Sequence, residues 1–70
     1  MLEKLFRQIK NNTEYTYHVY YTGDGFVLAP ANSPRDRQYE SAGYEFVGAF
    51  NAKITFMDFV SECESVRVAA

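Results

Sequence analysis

One cysteine, one histidine and no tryptophan mark what this sequence has least of. A lone Cys63 leaves no internal disulfide to staple the chain, which excludes the disulfide-rich secreted class and fits a reducing compartment. His18 and Cys63 lie far apart, and no C-x2-C or H-x3-H spacing accompanies either, so no metal site is expected. Two prolines and four glycines are too few for a linker or a low-complexity tract. No apolar run approaches the roughly 20 residues needed to span a bilayer, and Met1-Leu2-Glu3-Lys4 opens no signal peptide, so we expect a cytoplasmic protein with no membrane partner. Cations are not in excess either. With net charge −2 and a pI near 5.2, the chain has no general attraction for phosphate backbones or anionic lipid, and nucleic acid is disfavoured as a partner.

Apolar and aromatic residues fill the space these absences leave, at 47% hydrophobic and 17% aromatic, well above a disordered composition. Seventy residues make one domain, 1–70, whose size buries only about 60% of the surface the unfolded chain exposes. Its own core is therefore thin.

Leu2, Leu5, Phe6 and Ile9 fall at i, i+3, i+4 and i+7, which predicts a short amphipathic helix over the first dozen residues. Lys4, Arg7 and Lys10 lie on the remaining surface and towards the C-terminal end, where they complement the macrodipole. Asn11-Asn12 supplies residues that tolerate a left-handed stop. The period then changes to two across YTYHVYY, residues 15 to 21, where four of the six tyrosines gather around His18. Tyr15, Tyr17, Val19 and Tyr21 form one face, expected in the core; Glu14, Thr16, His18 and Tyr20 form the more polar other, expected outward. Thr22-Gly23-Asp24-Gly25 precedes Phe26-Val27-Leu28-Ala29, with Pro30 as the stop, and reads as a hairpin. A two-residue turn, at Gly23-Asp24 or at Asp24-Gly25, sets Tyr21 and Val19 on the same face as Phe26 and Leu28; a three-residue loop would turn the polar set inward, so a two-residue turn is predicted.

Ser33-Pro34-Arg35-Asp36 is a helix start, with Ser33 as N-cap, Pro34 first in the helix and Asp36 at the capping-carboxylate position; Gly43 is the stop. Only Tyr39 and Ala42 are offered to a core, so this segment is either a short, mostly exposed middle helix or a loop with a helical turn. Tyr44 to Asn51 alternates again, with Tyr44, Phe46, Gly48 and Phe50 on one side, and apolar groups on both sides predict a central strand. Thr55 and Asp58 cap a further helix over about residues 55–64, with Phe56, Phe59, Val60 and Cys63 as its stripe. Val66-Arg67-Val68 is read as a short edge strand. Together these predict a small α+β domain: a three- to four-stranded, mainly antiparallel sheet, with the N-terminal, middle and C-terminal helices packed on one face.

No catalytic constellation emerges from one histidine, one cysteine and nine carboxylates spread along the chain, and we expect neither an enzyme nor a cofactor. Cys63 sits on an apolar stripe, as a small buried hydrophobe does. Gly23-Asp24-Gly25 is too short for a phosphate cradle and no helix follows it. The order helix-strand-strand-strand-helix resembles, in topology, the double-stranded-RNA-binding domain, which implies RNA contact from the start of the last helix. That family carries a lysine cluster there, whereas Lys53-Ile54-Thr55-Phe56-Met57-Asp58 offers one cation and an acid. Outward aromatics on the strand, Tyr20 with His18, are the other route to nucleic acid, by base stacking.

The leading expectation is a small protein-binding module, since tyrosine is enriched at interface cores and no chemistry competes for the role. A compact acidic domain of this kind matches, as a class, phage or mobile-element inhibitors that block a host complex by occupying it, anti-CRISPR and polymerase-inhibiting proteins among them. The candidate partner-binding residues are Glu14, His18 and Tyr20 on the outward face of the first strand, with Arg35, Arg37, Tyr39 and Glu40 on the middle helix. A homodimer that pairs an edge strand or the tyrosine face with itself is the alternative.

Overall fold

A computed structural model describes all residues, Met1 to Ala70. The elements follow as α1 (Leu2–Asn11), β1 (Tyr17–Tyr21), β2 (Phe26–Pro30), α2 (Pro34–Ser41), β3 (Glu45–Phe50) and α3 (Phe56–Ala69). The three strands form one antiparallel sheet in the order β2-β1-β3, so the chain is α+β, as its patterning predicts.

The hairpin has the predicted facing, and of the two turns that allow it the structure takes the one with Tyr21 opposite Phe26 and Val19 opposite Leu28. Thr22 N–H donates to the Gly25 carbonyl at 2.9 Å, which leaves Gly23-Asp24 as the turn. Gly23 takes φ +100 at the first central position, the place where a type II′ turn requires glycine. The Thr22 hydroxyl accepts from the Asp24 and Gly25 amides and holds the turn closed.

Two features of the third strand differ from the sequence reading. β3 is an edge rather than the centre, because β1 takes the middle position between it and β2. Its faces also change along its length. Val19 lies opposite Gly48, but Tyr20 lies opposite Phe46, so Val47 is an extra residue in a bulge. Phe50 therefore packs in the core while Phe46 turns to the other side of the sheet, where unbroken alternation would have put both together.

α1 and α3 cover the first face, and the core there joins Ile9, Tyr17, Val19, Leu28, Phe50, Phe59 and Cys63. Phe59 is fully enclosed, 5.3 Å from the Phe50 ring and 5.9 Å from Phe6, and burial of such a side chain contributes about 1.5–3 kcal/mol. Lys10 ties α1 to the segment after β3 by donating to the Ala52 carbonyl at 2.7 Å. α1 ends at Asn12 with φ −120, not with the left-handed residue its asparagines allow. Tyr15, placed in the core by alternation, lies ahead of the strand and is 53% exposed.

α3 runs through Val66-Arg67-Val68, so those residues are helix and not an edge strand. Val66 continues the Phe59–Cys63 spacing, and Arg67 clamps Glu64 one turn back through both guanidinium and carboxylate ends. Both capping signals are realised: Ser33 Oγ accepts from Asp36 N–H and Thr55 Oγ1 from Asp58 N–H, each at 3.2 Å. α2 closes on Gly43 at φ +81, with Gly43 N–H donating to Glu40 and Tyr44 N–H to Tyr39, the paired bonds of a Schellman stop. This short helix does not join α1 and α3. It lies across the opposite face, above His18 and Tyr20, because its inward group is a carboxylate those two side chains satisfy.

Candidate functional site

β1 sends His18 and Tyr20 to the second face, and the N-terminus of α2 brings Asp36 down onto them. The carboxylate is only 5% exposed, the one charged side chain the fold buries. Its Oδ1 accepts from the Tyr20 hydroxyl at 2.7 Å; its Oδ2 accepts from His18 Nδ1 and from the Asn32 backbone N–H, both at 2.8 Å. Asn32 reaches this position with φ +65, a left-handed conformation asparagine tolerates better than most residues. No buried polar side-chain atom is left without a partner.

Burial works against the Asp36 charge, yet the Tyr20 hydroxyl, the Asn32 amide and the His18 ring outweigh it and hold the carboxyl below its ordinary value. Tyr20 moves the other way. Burial first, then its bond to Asp36 and the charges of Asp36 and Glu40, push its hydroxyl up to about 12. A phenol so placed keeps its proton at neutral pH and spends it on the carboxylate, so it holds the site together and is not matched to proton transfer.

Aromatic rings surround this polar knot. Tyr20 meets Tyr39 at 5.8 Å and Phe46 at 5.5 Å, both edge-on; His18 meets Phe46 at 5.2 Å; Tyr39 meets Tyr44 at 5.8 Å. The network ends at the surface, where Phe46 is 48% and Tyr44 37% exposed beside an open recess of about 370 Å³. Asp36, Asn32 and Glu40 line the same recess, and His18 keeps Nε2 free of any protein hydrogen bond.

The candidate residues divide accordingly. His18, Tyr20 and Glu40 line this recess, and Tyr39 packs against it through Tyr20 and Tyr44. Tyr20 is not outward-facing as alternation alone suggests: at 4% exposure it is covered by α2, so it presents no stacking surface with His18. Arg35 and Arg37 are exposed on α2 outside the recess, and Glu14 is exposed in the α1–β1 connection. Alternation along the strand gives no sign that Tyr44 and Phe46 reach the surface, and the spacing from Ser33 marks Asp36 only as a cap. The available signal for Asp36 was the polar pair on β1, which needed an acceptor somewhere. Elsewhere, Cys63 is enclosed, and burial with the Glu64 and Glu62 charges pushes its thiol up to about 11, away from nucleophile character. No three His, Cys, Asp or Glu side chains converge as metal ligands, and no helix is long and apolar enough to cross a membrane. No protein-family model matches the chain, and comparison with curated proteins and with solved structures returns no match.

Proposed function

We propose that this chain is a small non-enzymatic protein-binding module that acts by steric occupation of a larger partner. The observation that carries the reading is the exposed aromatic pair Tyr44 and Phe46, set on a rigid base of Tyr20, His18 and Asp36 at one margin of the sheet. Rings held this way lose little freedom on binding, and large amphipathic side chains of that kind anchor interfaces. The compact size and acidic balance support the narrower reading of an inhibitor, encoded by a phage or mobile element, that blocks a host complex by contact alone.

The test is capture of partners from host lysate with wild type and with a Tyr44→Ala, Phe46→Ala double variant, each checked for native circular dichroism. Loss of about tenfold or more in the captured partner is expected of an anchor pair. Equal recovery by both proteins would overturn the assignment.

A further inference from the structure

The two margins of the sheet are built differently. β2 ends at Pro30, which has no N–H to offer, and both α1 and α2 pack against that strand. β3 has no such proline; α3 alone packs against it, on the first face of the sheet. Over its six residues, Glu45–Phe50, it pairs with β1 alone, and none of its backbone groups takes part in a turn, cap or side-chain hydrogen bond. It contains no proline and no lysine, and the features that blunt an edge are limited to the bulge at Val47 and the Glu45 carboxylate.

Alongside it, α3 presents Ser65, Val66 and Ala69, and with Glu45 these bound a recess of about 200 Å³. Such small side chains leave room for a passing backbone. The charge along this margin is of one sign. Glu45 and Glu62 are exposed and neither has an ion-pair partner, whereas Arg67, the cation on α3, is held by Glu64. Glu40 adds a further carboxylate at the recess on the other face.

We propose that the outer edge of β3 binds an extended cationic segment of a partner protein by strand addition, beside α3 and with Phe46 and Tyr44 flanking the seam. The inference rests on the protein-binding reading and names its mode. Backbone bonds to the free edge supply affinity, and alternate side chains supply specificity, one set meeting the aromatic pair and the other the small residues of α3. Lysine or arginine in the added strand neutralises Glu45 and Glu40. A second copy of this chain does not: antiparallel self-pairing about the middle of β3 sets Glu45 against Phe50 and supplies no cation.

The experiment uses the whole chain, isotope-labelled, with an end-blocked octapeptide of alternating lysine and valine as probe. Amide exchange in β3 should slow by about tenfold or more at saturation, and Glu45→Lys, where the side chain is exposed and makes no hydrogen bond, should weaken binding by about tenfold. Equal binding of a glutamate–valine octapeptide, or unchanged β3 exchange, would overturn the proposal. So would β3 amides already protected without peptide at twice the 8.1 kDa mass, which assigns the edge to a second copy. If the lysate partner is lost by the Tyr44, Phe46 variant but kept fully by Glu45→Lys, the binding module stands and strand addition fails.

Discussion

The two faces of one three-stranded sheet are held by opposite means. On the first, α1 and α3 press Ile9, Val19, Phe59 and Cys63 out of all contact with water, and cohesion is shared among many apolar neighbours. On the second, α2 is fixed chiefly through Asp36, whose two oxygens collect three hydrogen bonds from two strand side chains and one loop amide. Distributed packing loses stability by volume, whereas a concentrated polar knot loses it by leaving groups unsatisfied. The fold thus rests on its first face and arranges its second.

The strongest way to break that contrast is Phe59→Ala. A loss of about 3–5 kcal/mol is expected, against a total on the order of 4–10 kcal/mol for a domain of this size, so urea titration should show a chain near or past unfolding. Asp36→Ala should cost less, about 2–4 kcal/mol, because it strands the Tyr20 hydroxyl and Asn32 amide while the first face stays packed. Its signature is selective: amide exchange in α2 and the Asn32 loop should rise before exchange in β1 does.

Acid and alkali sharpen the same comparison with a smaller effect. Since Asp36 has a depressed pKa when folded, its contribution is present above the ordinary carboxylate value near 3.8 and is lost as pH falls below it. Tyr20 behaves in reverse: its stabilisation is intact below its ordinary value of 10.0 and is lost as pH rises through about 12. Thermal melts across pH should show the acid slope reduced in Asp36→Asn and the alkaline slope reduced in Tyr20→Phe. Slopes identical to wild type would mean the knot is not formed in solution.

What was legible in the sequence is what short-range chemistry decides. The i, i+3, i+4, i+7 stripe of α1, the two-residue turn and shared apolar face of the hairpin, and the Ser33 and Thr55 caps each depend on neighbours within a few positions. Strand order did not follow, because placing β1 between β2 and β3 depends on a connection through α2 that no local pattern reports. The end of α3 escapes local reading because Val66 and Val68 suit a strand by propensity, while the helix half-buries Val66 and gives Arg67 a clamp on Glu64. The site was half visible. His18 and Tyr20 were separated from the core set correctly by alternation, but their cover, Asp36, stands sixteen positions beyond Tyr20 and looked like an ordinary cap.

The bulge at Val47 divides β3 into two stretches with separate obligations. From Gly48 onward the strand answers to Val19 and Phe50; at Phe46 and before, it answers to Tyr20 and the surface. Variation can therefore accumulate at positions 44 to 46 without being judged by the core, as lettering on a key bow changes without altering the bit. Substitutions at those three positions should change the surface of the second face while the packing of Val19 and Phe50 stays in place.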